Sequence, residues 1–289
     1  MSVNKFIKDP LWTTLVGTLV AAMVVSFFVF VQSGEATPQA ADERTPYASV
    51  NPRIVGGTAA PNGKYPFVAY IELYKGKRVF ACTGSLIDQD SVLTAAHCLI
   101  NTTGAVVVVG RTDLRNKNRG QVIEASRPFI HPRYFGNGYD AGVLKLSRPV
   151  KGIKPIKLAT PIQNYLEKPG NILTAAGWGA VRQRPEIYPK RMQEVSVPVV
   201  SDSRAKRAYQ QSQAPKYVPR LMVAAGKKGK GPCFGDSGGP LFDSGSRTQV
   251  GIDSRYAVHK CAAQARYPEV FTEVNNPEIW TFIVSAAKR

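Results

Sequence analysis

Residues 230–240 read KGPCFGDSGGP and place Ser237 among four glycines, directly after Asp236. Glycine loses more backbone freedom on folding than any other residue, so this cluster indicates a tight turn or the close approach of another molecule. A serine hydroxyl becomes a nucleophile when a neighbouring base accepts its proton. The stretch therefore predicts a histidine near Ser237 and a carboxylate that orients the histidine.

The chain offers three histidines as that base. His97 follows an apolar run in TAAHC, His131 lies in the proline-bounded turn IHPRY, and His259 lies in a polar loop. Two carboxylates are candidates for the orienting group: Asp113 in a charged loop, and Asp140 at the head of the apolar run DAGVLKL. The position of Asp140 favours partial burial, but the residues alone leave both alternatives open.

The composition indicates a turn-rich globular protein. The chain has 289 residues, of which 44% are hydrophobic and 20% charged, with 25 glycines and 21 prolines. Short β-branched runs such as AVVVVG and QEVSVPVV alternate with turn residues, which predicts an all-β barrel or sandwich of antiparallel strands. The final segment, NPEIWTFIVSAAKR, places Ile279, Phe282 and Ile283 on one face and predicts a terminal α-helix.

The N-terminus indicates export from the cytoplasm. Residues 11–31 contain no charged side chain and follow two lysines, so residues 1–31 are interpreted as a signal peptide or a membrane anchor. Small residues follow the apolar run and allow cleavage near Ala36 or Ala41. Residues 32–53 are predicted to be a linker or propeptide, and residues 54–289 the folded domain. Either interpretation of the N-terminus brings the domain to an oxidising compartment, where four cysteines permit two disulfides.

The net charge of +18 lies after Arg53, because residues 1–53 contain four basic and four acidic residues. Such a surface attracts polyanions or anionic membranes. The basic residues are scattered, however, so a soluble basic surface is the simpler interpretation. Nothing in the sequence resembles a nucleic-acid-binding fold, and we expect no specific nucleic-acid partner.

Five motifs in order resemble the chymotrypsin/trypsin family of serine proteases. They are IVGG (54–57), LTAAHC (93–98), DAGVLKL (140–146), GWG (177–179) and GDSGGPL (235–241). The resemblance covers residues 54–289 and implies two packed antiparallel β-barrels with the active site in the cleft between them. It also implies hydrolysis of peptide bonds in polypeptide substrates without a cofactor, by a monomeric enzyme. The alternative from another class is a protease-like protein that binds polyanions without catalysis.

The resemblance implies a role for each matching residue. His97 is the general base, Asp140 the orienting acid and Ser237 the nucleophile. The backbone N–H groups of Gly235 and Ser237 form the oxyanion hole, and Ser254 donates a hydrogen bond to Asp140.

The resemblance also implies a zymogen. Cleavage between Arg53 and Ile54 would free the α-amino group of Ile54, which pairs with Asp236. The activating protease is another enzyme or this enzyme itself. The implied disulfides are Cys82–Cys98 and Cys233–Cys261. No metal is expected, because Arg111 stands where calcium-binding relatives place a carboxylate.

The specificity pocket departs from the trypsin pattern. Gly231 stands six residues before Ser237, where trypsin-like relatives have an aspartate, and Glu269 replaces a glycine of the facing wall. Arg255 and Tyr256 replace a Trp-Gly pair at the entrance, and Asp253 replaces an apolar residue. We expect Glu269 to favour cleavage after Lys or Arg, with tolerance for Phe or Tyr. In the alternative, Glu269 turns away and pairs with an arginine such as Arg255 or Arg266.

Overall fold

The structure is a computed structural model that describes residues 56–135, 138–183, 186–212, 214–255, 261 and 267–289. The predicted signal peptide or anchor (1–31), the linker (32–53), Arg53, Ile54 and Tyr256 lie outside the described residues, as do His259 and Arg266. Among the residues described, no helix is long and apolar enough to cross a membrane.

Six antiparallel strands close the first barrel. A short strand β1 (Thr58–Ala59) precedes it, and its members are β2 (Val68–Lys75), β3 (Arg78–Asp88), β4 (Ser91–Thr94), β5 (Gly104–Val109), β6 (Gln121–Ile130) and β7 (Gly142–Leu146). They pair in the order β2-β3-β4-β7-β6-β5, and β2 closes the ring on β5. Alternation along β2 and β5 turns Ile71, Leu73, Val107 and Val109 inward, where they are fully or almost fully buried.

The second barrel follows in the chain. Its six strands are β9 (Ile172–Gly177), β12 (Gln193–Val200), β13 (Met222–Ala225), β14 (Pro240–Asp243), β15 (Thr248–Arg255) and β16 (Glu269–Glu273), preceded by β8 (Lys157–Leu158) and interrupted by the hairpin β10 (Arg182–Gln183) and β11 (Glu186–Ile187). The ring runs β12-β13-β16-β15-β14-β9 and closes through β9 and β12. Its interior contains Val197, Leu241, Val250 and Phe271. The two-barrel prediction is confirmed.

Three α-helices complete the described chain. They are α1 (Ala96–Leu99), α2 (Asp202–Gln210) and α3 (Pro277–Ala287). The side chain of Asn276 caps α3 by accepting hydrogen bonds from the N–H groups of Glu278 and Ile279. Ile279 and Ile283 are fully buried on its inner face, so the predicted terminal helix is confirmed.

Aromatic rings and buried hydrogen bonds join the barrels. Phe67 of the first barrel packs edge-on against Phe242 of the second, with ring centroids 5.3 Å apart. Ser85 Oγ donates a buried hydrogen bond of 2.6 Å to Gln249 Oε1. Nearby, Thr83 of β3 donates its N–H to the Ser237 carbonyl at 2.9 Å. The nucleophile candidate is therefore held at the junction of the two barrels.

Candidate active site

His97 and Asp140 meet because β4 and β7 are neighbours. Thr94 pairs with Gly142, so α1, which follows β4, lies beside the residues that precede β7. His97 Nδ1 lies 2.7 Å from Asp140 Oδ2, and the His97 backbone N–H donates to Asp140 Oδ1 at 2.9 Å. Ser254 Oγ donates a further hydrogen bond of 2.7 Å to Asp140 Oδ2. The carboxylate is fixed by three donors from two segments of the chain.

The electrostatics keep the Asp140 carboxyl ionised. Asp140 is only 5% exposed, and this burial raises the pKa of its carboxyl. The charge of His97 and the hydrogen bonds from His97 and Ser254 outweigh burial, so the net pKa lies below the usual value. The buried Asp140 carboxylate accepts a hydrogen bond from Nδ1–H of His97. It therefore favours the tautomer that carries the proton on Nδ1 and leaves Nε2 able to accept one.

The other candidates for these two roles have different neighbours. The Asp113 carboxylate accepts hydrogen bonds from Arg115, from Nε at 2.9 Å and from Nη2 at 2.5 Å. It therefore pairs with an arginine of its own loop. His131 is buried, stacks on the Tyr139 ring at a centroid distance of 4.8 Å, and accepts the Arg133 N–H through Nδ1 at 3.1 Å. Neither residue joins His97 or Ser237 in the described contacts.

Ser237 is held beside the disulfide that follows His97. Its carbonyl oxygen lies 3.7 Å from Cys98 Sγ, and Cys98 is bonded to Cys82. The next residue, Gly238, donates its N–H to the Asp253 carbonyl at 2.8 Å. Contacts to β3, to the disulfide and to β15 thus fix the backbone of Ser237 on three sides.

Gly235 adopts a backbone conformation that favours glycine, with φ of 95°. Its carbonyl accepts a hydrogen bond of 2.9 Å from Thr83 Oγ1. A Cβ at this position would lie 3.2 Å from the Gly179 Cα and 3.3 Å from the Tyr188 ring. The turn before Ser237 is therefore both strained for other residues and closely packed.

Asp236 lies in a closed cradle. It is 2% exposed, and its two oxygens accept the N–H groups of Gly179 and Cys233 at 2.8 and 2.9 Å. Burial raises the pKa of this carboxyl to about 7, although the two hydrogen bonds act in the opposite direction. A Cβ on Gly177 or Gly179 would collide with the carboxyl. The GWG motif therefore makes room for Asp236, a role that the sequence analysis missed.

Glu269 is the buried first residue of β16. It is 3% exposed, and a Cβ on Gly226 or Gly231 would lie within 2.8 Å of its carboxylate oxygens. The Glu269 carboxylate therefore occupies the space above Gly231 that the two glycines leave open. Cys233, two residues after Gly231, is bonded to Cys261.

Asp253 is a fourth buried carboxyl in this region, after Asp140, Asp236 and Glu269. It is 2% exposed, and neither of its side-chain oxygens has a hydrogen-bond partner among the described residues. Burial raises the pKa of the Asp253 carboxyl well above its usual value, and the charges of Asp236, Glu269 and Asp140 raise it further. The sequence indicated a polar residue at an apolar position, but not the carboxylates around it.

The loop that carries Arg111 is closed by that side chain. Arg111 Nε donates to the Arg119 carbonyl at 2.7 Å, and Nη2 donates to the Lys117 carbonyl at 3.3 Å. Two backbone carbonyl groups of this loop therefore accept hydrogen bonds from the Arg111 guanidinium.

The sequence model of the family described as trypsin matches residues 54–281. The chain belongs to the trypsin family. It is therefore a serine endopeptidase.

Curated relatives in the trypsin family span most of the chain. A trypsin-like protease of Streptomyces glaucescens is 33% identical over 77% of this chain and 79% of its own length. Serine protease 28 of Mus musculus is 29% identical over 78% and 87%. Phenoloxidase-activating factor 3 of Holotrichia diomphalia is 31% identical over 79% and 71%.

Solved structures of the trypsin family share the fold. Neuropsin, a serine protease expressed in the limbic system of mouse brain, aligns with a TM-score of 0.68 at 27% identity, over 82% of this chain and all of its own. HL collagenase aligns with a TM-score of 0.69 at 25% identity, over 81% of this chain and 99% of its own.

Proposed function

We propose that Ser237, His97 and Asp140 are the catalytic residues of this trypsin-family endopeptidase. The observation that carries the proposal is the 2.7 Å contact between His97 Nδ1 and the buried Asp140 carboxylate, beside the Ser237 turn. His97 Nε2 accepts the proton of Ser237 Oγ as this oxygen attacks the carbonyl carbon of the peptide bond. His97 then gives the proton to the departing amine, and water releases the acyl group by the same steps.

The Gly235 turn supports the charge that develops on the carbonyl oxygen. In our proposal, the N–H groups of Gly235 and Ser237 stabilise this oxyanion. The close packing of Gly179 and Tyr188 around Gly235 supports an ordered turn. A preorganised turn stabilises the transition state without the cost of ordering backbone during the reaction.

The environment of Asp236 supports activation by cleavage between Arg53 and Ile54. Burial raises the pKa of Asp236 to about 7, since two N–H donors compensate only part of the loss of water. A new amine at Ile54 would supply the cation that such a carboxylate requires. The chain is then a zymogen whose activating protease is another trypsin-like enzyme or the enzyme itself.

Glu269 supports a preference for basic side chains. Its carboxylate lies against Gly231, the position where a side chain at the pocket floor would begin. In our proposal, a substrate Lys or Arg meets this carboxylate in the specificity pocket, and Ser254 and Tyr256 contribute to binding the same side chain. A charge-assisted hydrogen bond would hold the basic group.

The cellular location belongs to the same proposal. The apolar run at residues 11–31 supports secretion or anchoring outside the cytoplasm, because an exported chain can form the Cys82–Cys98 and Cys233–Cys261 disulfides.

A labelled fluorophosphonate tests the proposed nucleophile. The chain cleaved after Arg53 is expected to become labelled at Ser237, and the uncleaved chain to react far more slowly. Ser237→Ala should abolish labelling, whereas the matched change Ser246→Ala, in an exposed turn of the second barrel, should not. Absence of label on the cleaved protein, or equal labelling of Ser237→Ala, would refute the assignment.

A further inference from the structure

A groove leaves the Gly235 turn along the surface. Its first part is a cavity of about 390 Å³ lined by Val79, Phe80, Trp178, Tyr188 and Gly235. Val79, Phe80 and Tyr188 are 59%, 44% and 46% exposed, although they are large apolar residues. Exposed apolar side chains gathered around a cavity indicate a surface that binds another molecule.

The groove continues into two further cavities. A cavity of about 350 Å³ shares Tyr188, Pro189 and Lys190 with the first and adds Arg115 and Arg191 to its lining. A third cavity of about 470 Å³ shares Arg191 and is also lined by Asp113, Asn116 and Arg119. The shared residues make these cavities neighbours. The first, beside Gly235, is lined mainly by apolar side chains, and the other two contain most of the basic ones.

The charges along the groove are unbalanced. The three linings contain four basic residues, Arg115, Arg119, Lys190 and Arg191, and one acidic residue, Asp113. Asp113 is already paired with Arg115, and this hydrogen bond lowers the pKa of the Asp113 carboxyl. Within the described chain, no carboxylate pairs with Arg119 or Lys190. The charge of Arg191 also lowers the pKa of Asp113, and Arg191 Nε donates to the Ala60 carbonyl at 3.2 Å.

A carboxylate lies beside the first cavity. Tyr188 Oη donates to Glu186 Oε2 at 2.7 Å, and the Tyr188 ring packs against Gly235. Glu186 therefore places a carboxylate close to the start of the groove. Lys190 lines the first cavity as well as the second, so an acidic ligand group is disfavoured beside Glu186 and favoured beside Lys190, Arg191 and Arg119.

We propose that this groove binds an acidic segment of the polypeptide substrate on the leaving-group side of the cleaved bond. The inference rests on the proposed function, because Ser237 fixes where the bond lies. In the proposed function, the substrate side chain before the bond binds at Glu269, against Gly226 and Gly231. None of these three residues is a described lining residue of the groove, so the groove is left for the segment after the bond.

The chemistry of the groove fits a peptide better than a polyanion. Guanidinium groups bind carboxylates through paired hydrogen bonds, and unpaired cations steer an acidic chain toward the site. The apolar walls near Tyr188 accommodate the side chains that connect the acidic residues to the cleaved bond. A sulfated polysaccharide has no apolar side chains that would pack against these walls.

Two matched peptides test the proposal with the activated enzyme. Both have the same residues before the bond and immediately after it, and they differ by two Asp or two Asn farther along the leaving side. The Asp peptide is expected to have a kcat/KM about 3–10-fold higher, through KM, and to lose this advantage at high salt. Arg119→Gln with Lys190→Gln should remove the advantage, so that the ratio of kcat/KM for the Asp peptide over the Asn peptide falls to about 1.

The control variant carries the same loss of charge elsewhere. Lys168→Gln with Lys206→Gln changes two exposed lysines that line none of the three cavities. It should retain the preference for the Asp peptide. If it removes the preference equally, net charge and not the groove is responsible, and the proposal is wrong.

The remaining outcomes separate the groove from the catalytic assignment. Equal cleavage of both peptides by the wild type overturns the groove proposal and leaves proteolysis intact. If neither peptide is cleaved, the proposed function fails, and fluorescence anisotropy of the same peptides on Ser237→Ala still tests the groove. There, equal affinity for Asp and Asn peptides overturns it. Binding of heparin, but not of the Asp peptide, that depends on Arg119 and Lys190 would reassign the groove to polyanions.

Discussion

Replacing Asp253 by valine is expected to stabilise the folded protein. Asp253 is 2% exposed and its carboxyl oxygens have no described hydrogen-bond partner. Burial, and after it the charges of three other carboxylates, raises the pKa of this carboxyl. An unsatisfied buried polar group costs about 1–3 kcal/mol, and valine of similar size removes that cost. For a domain of this size, the melting temperature should rise by about 2–4 °C for each kcal/mol.

The gain is expected to grow as the pH rises. The folded-state pKa of Asp253 lies above its value in the unfolded chain, so the unfolded state releases the proton first. The wild type therefore loses stability from the unfolded pKa upward until the folded pKa is reached, by at most about 1.4 kcal/mol per pH unit. Asp253→Val lacks this loss, so the difference between the two proteins should widen between pH 4 and pH 7.

Thermal unfolding across that pH range measures the effect. Both proteins should carry Ser237→Ala to prevent self-digestion. Asp243→Asn is the control, because hydrogen bonds from Ser246 lower the pKa of Asp243, and its loss should destabilise at neutral pH. A lower melting temperature for Asp253→Val at pH 7, or a difference that does not change with pH, would refute the reasoning.

Three further results are expected. Glu269→Gly should lower the ratio of kcat/KM for Lys over Phe substrates by about 10-fold or more, since it removes the carboxylate above Gly231, and an unchanged ratio would exclude Glu269 as the specificity determinant. Arg53→Gln should leave the chain nearly inactive after treatment with trypsin, and full activity without a cut there would disprove the zymogen proposal. Gly179→Ala should reduce fluorophosphonate labelling of the cleaved enzyme by more than about 10-fold, because its Cβ would displace the Asp236 carboxyl; wild-type labelling would show that the cradle is dispensable.

The sequence predicted the strands and the last helix because their signals are local. A run of β-branched residues marks β5, and Asn276 with Pro277 marks the start of α3. Helix α2 gave no such signal, since its buried residues include the small Ala205 and Ala208. Small residues produce little apolar periodicity, so the segment was not predicted as a helix.

The site was predictable where a motif identifies a residue, and not where distant segments meet. His97, Asp140 and Ser237 each lie in a recognisable stretch. The hydrogen bond from Gly179 to Asp236 joins residues 57 positions apart, and no local pattern announces it. The unpartnered state of Asp253 likewise depends on strands and loops that only the folded chain brings together.

The central claim is that Asp140, and not Asp113, orients His97 in the triad. A comparison of the two carboxylates tests it most directly. The measurement is kcat of the cleaved enzyme on one peptide, for Asp140→Asn and Asp113→Asn side by side. Asp140→Asn should lower kcat by about 10⁴-fold, the size of effect known for this change in triad enzymes, because the amide stabilises the wrong His97 tautomer. Asp113→Asn, which loses only its pairing with Arg115, should stay within about twofold of wild type. Equal effects of the two changes, or a larger effect of Asp113→Asn, would contradict the assignment of the triad.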